Sequence, residues 1–197
     1  MSRYEKLPTD GFKHMTFGAG IVLSTFEPST GAVDTANILF ATKGGNALAV
    51  TREMIDMGAD LDNCPEGTKQ LQKAKPYQIN LTGTGVDINK EILGRMMSTK
   101  ESTVSTGIDK IELSNLIDLT EYKDIWLVLN YSEYNGETKG GFMAVHLLNT
   151  LSVDGFNATF KKDANGEFPY KFQAFYDMEN IDAVPVEFYL KAGTAEA

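Results

Sequence analysis

A single cysteine, two histidines and one tryptophan are spread over 197 residues, and each scarcity removes a class of explanation. With Cys64 alone no internal disulfide can form, so the fold needs no oxidising compartment. Cys64 has no base beside it in the sequence and reads as an unreactive thiol. His14 lies in a stretch without periodicity. His146 falls in an apolar run on the parity of Phe142, Ala144 and Leu148, and is expected to be a core or interface histidine. No spacing of His, Cys or carboxylate resembles a zinc site. Gly18-Ala19-Gly20 and Gly83-Thr84-Gly85 each lack the third glycine of a dinucleotide fingerprint, and there is neither a nucleophile elbow nor a P-loop. Asp60-Leu61-Asp62-Asn63 begins like a calcium loop but lacks the later glycine and glutamate, so a solvated acidic turn is expected. No catalytic, metal or cofactor-binding residue is therefore assigned, no cofactor is expected, and the chain does not read as an enzyme.

Basic residues are also in short supply. Eighteen Lys and Arg against twenty-seven Asp and Glu give a formal charge of −9, with no basic run beyond Lys161–Lys162. Such a surface is unsuited to gripping nucleic acid. Apolar runs stop well short of the ~18–20 residues that span a bilayer, so no membrane partner is expected. The opening MSRYEKLPTDGFKH lacks the apolar segment of a signal peptide. Folding in a cytoplasm is the expectation, and the sequons at Asn80 and Asn157 then have no use.

What the chain does have is alternation. Phe168, Tyr170, Phe172, Ala174, Tyr176 and Met178 fall on alternate positions, as do Val184, Val186, Phe188 and Leu190. A period of two predicts strands with one face toward a core. Residues 125–129 and 142–148 are continuous apolar runs and predict strands buried on both faces. Residues 37–42 and 47–51 flank Lys43-Gly44-Gly45-Asn46, which predicts a hairpin turn. The parity flip at Gly83 and Gly85 predicts a bulge, and Phe156, Ala158 and Phe160 a further strand. Asn89 is placed to cap a short helix bearing Ile92, Leu93, Met96 and Met97. Residues 98–107 read as a polar loop.

Two stretches lack periodicity. Residues 1–17 read as an arm in which Phe12, Met15 and Phe17 suggest docking contacts. Residues from Arg52 to about 76 form a long connection in which Glu53, Met54, Ile55, Met57 and Leu61 are candidate inter-subunit residues. Asp56, Asp60, Asp62 and Glu66 make the same stretch acidic. Apolar side chains in a long loop want either their own core or another subunit.

The order of these segments is similar to a known family. The Lys43-Gly44-Gly45 segment leads to Thr51-Arg52-Glu53-Met54, MGADLDN, Leu81-Thr82-Gly83-Thr84 and a short helix. NYSEYNGETKGGFMAVHLLNTLSVDGF and VPVEFYLKAG follow. Together they resemble the major tail tube protein of long-tailed (siphovirus-like) bacteriophages and prophages of Gram-positive bacteria, from about Lys43 to Gly193. The resemblance implies a mainly β fold: a β-sandwich or barrel-like core of antiparallel strands flanked by one short α-helix, as a single domain over 1–197. It implies hexameric rings stacked through the arm, a C-terminal segment and the 52–76 loop. The implied partners are other copies of the chain, a tape-measure protein, tail tip or initiator proteins and a terminator. DNA would pass through without specific binding, and the acidic loop residues are candidates for the lumen. The implied place is a virion tail, assembled in the host bacterial cytoplasm. The rival reading is a β-sandwich carbohydrate-binding or adhesin module using Tyr131, Tyr134, Trp126 or Tyr189, although Trp126 lies in the most apolar run and is expected in the core.

Overall fold

The computed structural model describes residues 14–105, 107–131, 138–139 and 141–195. Its elements are β1 (Thr16–Leu23), β2 (Ile38–Phe40), β3 (Thr42–Thr51), β4 (Met54–Asp56), β5 (Gln72–Ala74), β6 (Gln78–Gly85) and the helix α1 (Lys90–Met96). They continue with β7 (Thr99–Ser105), β8 (Ile108–Leu113), β9 (Lys123–Tyr131), β10 (Thr138–Lys139), β11 (Phe142–Ser152), β12 (Phe168–Ala174), β13 (Val186–Lys191) and β14 (Thr194–Ala195). An eight-stranded antiparallel sheet runs β2-β1-β9-β11-β12-β6-β3, with β13 also paired to β11. The remaining strands form the two-stranded ribbons β4–β5, β7–β8 and β10–β14.

The fold turns on β11. One of its edges pairs with β9, while the other is shared: β13 takes Phe142–Leu147 and β12 takes Thr150–Ser152. Between those two partners the register with β9 breaks, and Asn149 sits at φ 50°. The change of partner near Asn149 divides the ladder into two groups of strands, β2-β1-β9-β11-β13 and β12-β6-β3. The main core lies between them, built from Val22, Phe40, Leu81, Leu127, Val145, Phe168 and Phe172 among others. On the far face of the first group, Leu23, Phe26, Trp126, Val128, Phe142 and Ala144 form a second cluster, to which the segment after β1 contributes Phe26.

This is the expected mainly β, sandwich-like core with one helix. Among the described residues the backbone ladder does not close into a barrel. Instead, Asn46 of β3 donates its Nδ2 to the Ala19 carbonyl of β1 at 2.8 Å and accepts from the Tyr170 hydroxyl, so side chains stitch the open seam. The helix is capped as expected: Asn89 Oδ1 accepts from the Ile92 amide at 2.8 Å, and Ile92 and Met96 are buried in the main core.

Several local expectations are corrected. Lys43-Gly44-Gly45-Asn46 is no turn: β3 is one continuous strand whose register to β6 slips between Lys43 and Asn46. Gly44 and Gly45 at φ 79° and 92° supply the bulge, a conformation open to glycine at little cost. The bulge expected at Gly83 and Gly85 is therefore in the partner strand. β6 itself is regular against β12, and its glycines lie beneath the rings of Tyr170 and Phe168 directly across. Within residues 98–107, read as loop, Thr99–Ser105 form β7 and pair with β8. The strand expected at Phe156–Phe160 is only an isolated bridge, Thr159 to Glu167, and Phe160 is exposed. The first strand begins at Thr16, within the stretch read as an arm, and the 52–76 connection carries β4, β5 and a short 3-10 turn at Lys69–Leu71.

Candidate assembly surfaces

The 52–76 segment is a preorganised flap. β4 pairs with β5 in register Met54 to Ala74 through Asp56 to Gln72, and Met57 N–H donates to the Leu71 carbonyl at 2.9 Å. Asp56 holds the tip together. Its Oδ1 accepts from Gly58 N–H at 2.9 Å and its Oδ2 from Gly67 N–H at 2.7 Å. These amide donors, Gly67 foremost, lower the Asp56 pKa. Outside the scaffold, Met54, Ile55, Met57 and Leu61 are exposed, Met57 by 64%. Asp60, Asp62 and Glu66 are exposed too, whereas Asp56 is partly buried and engaged within the flap. At the base, Glu53 pairs with Lys75 at 2.8 Å and the Arg52 guanidinium lies 4.1 Å from the Tyr77 ring centroid.

A second set of exposed apolar side chains lies outside the segments that the sequence pattern marks. Ile108 and Leu113 on β8, then Leu116, Ile117 and Leu119, are all exposed, Leu119 by 86%. Their one signal in the sequence is density in a polar-looking stretch, a leucine or isoleucine every few residues without a strand or helix period. A third surface surrounds β13. Phe188 and Leu190 share a face with the buried Val145 and with Met143 across the ladder. They alternate as the sequence predicts, yet they are 49% and 62% exposed rather than facing a core. Val186 reaches the main core, but the second group of strands does not extend over its two successors. Val184, Ile181 and Met178 continue this exposed apolar series. Among the described residues no strand pairs with the outer edge of β13.

Of the arm residues, Met15 is exposed and Phe17 is paired through its backbone to Asn130, while Phe12 lies outside the described residues. His14 Nδ1 lies 3.0 Å from the Tyr131 hydroxyl.

His146 is a half-buried bridge rather than a plain core histidine. Its Nε2 is 3.1 Å from Asp124 Oδ2 on β9, and its Nδ1 is 3.2 Å from Glu187 Oε2 on β13. Its ring lies flat on Trp126, centroids 3.9 Å apart and planes at 7°. Trp126 itself is buried beside the partly exposed Tyr189, so the Trp126 ring forms no exposed platform for a sugar. A shallow polar groove beside α1 is lined by Lys90, Glu91, Thr99, Thr120, Glu121 and Lys123, with charges of both signs. Among the described residues no cluster of three or more His, Cys, Asp or Glu could hold a metal ion, and no helix is long and apolar enough to cross a membrane.

No protein-family model matches the chain, and no curated protein matches it. Among solved structures, a chain of the "Virion of native gene transfer agent (GTA) particle" is similar at a TM-score of 0.42 and 6% identity, over 88% of this chain and 96% of that one.

Proposed function

We propose that the chain is a structural virion protein, a tail tube subunit that assembles with copies of itself into stacked hexameric rings around a conduit for DNA. The observation that carries this reading is the exposed apolar surface in three separate segments: the flap, residues 108–119, and residues 178–190. A monomer rarely leaves so many large aliphatic side chains in water, and several such surfaces suit a subunit with neighbours on more than one side. The unpartnered edge of β13 fits the same reading, since a free edge is a liability until another chain covers it. The resemblance of the segments from Lys43 to Gly193 supplies the specific architecture. In it the flap residues Glu53, Met54, Ile55, Met57 and Leu61 and the arm residues Phe12, Met15 and Phe17 make contacts between subunits.

A tape-measure protein, tip or initiator proteins and a terminator are the other partners on this reading. The formal charge of −9 disfavours adhesion of DNA to the wall; at physiological salt, repulsion extends ~8 Å. Asp60, Asp62 and Glu66 are the proposed contributors from the flap, with Asp56 in a scaffolding role. The test is negative-stain electron microscopy with light scattering on concentrated protein, alone and seeded with tail tips. Rings or hollow tubes support the reading. Persistent monomers under both conditions, together with binding on a glycan array, would replace it with the carbohydrate-binding module.

A further inference from the structure

The bridge at His146 demands a proton on geometric grounds. A neutral imidazole has one N–H donor and one bare nitrogen, yet both nitrogens here face a carboxylate oxygen, at 3.1 and 3.2 Å. With both carboxylates ionised, only the imidazolium satisfies both contacts. A ring held flat against Trp126 at 3.9 Å favours the charged form further. Each contact belongs to a different strand: Asp124 to β9, His146 to β11 and Glu187 to β13. Asp124 Oδ1 also accepts from the Asn149 amide at 2.9 Å, at the residue where β11 passes from β13 to β12. Among the described residues, the charged and titratable groups around the ring are these. Glu187 accepts from the Tyr189 hydroxyl at 2.7 Å, and Glu27 acts on Tyr189 from the segment after β1. From α1, the Arg95 guanidinium donates to the Asp124 carbonyl at 3.2 Å and is paired with Glu91.

We propose that the Asp124–His146–Glu187 bridge is a proton-dependent latch that fastens β13 to the main sheet. β13 is held on one edge only among the described residues, and it presents Phe188 and Leu190. The latch therefore governs how firmly an exposed apolar strand is seated. Burial works against the charged ring, and the two carboxylates outweigh it, so the His146 pKa is raised above its ordinary 6.5. Asp124, chiefly through His146, and Glu187, through Tyr189 and then His146, are lowered. The histidine's contribution is complete below 6.5 and is lost as pH rises through its raised value. The carboxylates' contribution is lost as pH falls through their lowered ones. The latch is closed between these limits; it loses the ring proton on the alkaline side and a carboxylate charge on the acid side.

Hydrogen exchange followed by NMR tests this in the intact chain. Protection factors, which remove the intrinsic pH dependence of exchange, should fall about tenfold or more for the β13 amides that face β11, those of Glu187, Tyr189 and Lys191, as the ring loses its proton. Those of Ile79–Leu81 should stay level. Glu187→Gln retains a donor for a neutral ring, so its β13 protection should vary little across the same range. Ring nitrogen shifts should show His146 doubly protonated at pH 6.5, with His14→Gln assigning the two histidines. A ring found neutral at pH 6.5, or identical β13 pH profiles in the wild type and Glu187→Gln, would overturn the latch. Neither readout depends on assembly into a tube.

Discussion

The glycines of β6 and α1 are in opposite situations. A Cβ on Gly85 would enter the ring of Phe168, which is fully buried and paired across the ladder. Gly85→Ala forces the ring or the strand to move in a packed core, and a loss of about 1–3 kcal/mol is expected by denaturant unfolding. A Cβ on Gly94 meets only Thr99 Oγ1, at 3.6 Å. Gly94→Ala is therefore expected to stabilise by up to about 1 kcal/mol, through helix propensity alone. Asn46 is a harder loss. Its removal in Asn46→Ala leaves the Tyr170 hydroxyl, whose pKa burial raises, without that partner and unhooks β3 from the Ala19 carbonyl. A cost of about 1–3 kcal/mol is expected. Tyr170→Phe, which removes the buried hydroxyl itself, should cost less. Equal costs would mean that Asn46 does not stitch the seam.

Among the elements, the flap has its tip held by the two oxygens of a single carboxylate, Asp56. Amide donors at Gly67 and Gly58 lower the Asp56 pKa from 3.8, so their contribution is present above 3.8 and lost as pH falls through the lowered value. Asp56→Ala removes both acceptors, and proteolysis within residues 57–67 should then quicken several-fold at neutral pH while global unfolding moves little. Unchanged cleavage would show that the β4–β5 ladder suffices. The sequence announced parts of this level well. Asn89 with its helix, and strands β9, β11 and β12, were legible because capping chemistry and apolar periodicity are local signals. Gly44-Gly45 was misread because a glycine pair serves a turn and a bulge alike, and only the partner strand decides. The exposure of Phe188 and Leu190 was illegible for a different reason. Parity tells which way a side chain points, but whether a second layer reaches it depends on where β11 exchanges β13 for β12. The His146 bridge joins residues 22 and 41 positions apart, beyond any spacing rule.

For the whole molecule, the proposed assembly sets two forces against each other. Each subunit carries a formal charge of −9, so approaching copies repel, while their exposed apolar segments gain by leaving water. The repulsion is long-ranged and screened by salt: the Debye length shrinks from about 10 Å at 0.1 M to about 3 Å at 1 M. Burial of Met57, Leu119 or Phe188 acts only at contact and is not weakened by simple salt. Association governed by these surfaces should therefore quicken, and its threshold concentration fall, as sodium chloride is raised. Interfaces built on ion pairs would give the opposite trend. The substitutions Met57→Lys, Leu119→Lys and Phe188→Lys separate the contributions, because each lowers the net negative charge while placing an ammonium on an apolar surface. A purely electrostatic barrier would make all three assemble faster than the wild type. If the apolar contacts carry assembly, each slows it by tenfold or more, on the order of the 1.4 kcal/mol that a lost large side chain readily exceeds. Light scattering at two salt concentrations for the four proteins reads both trends, and a variant that alone assembles faster would identify a surface that faces solvent in the tube.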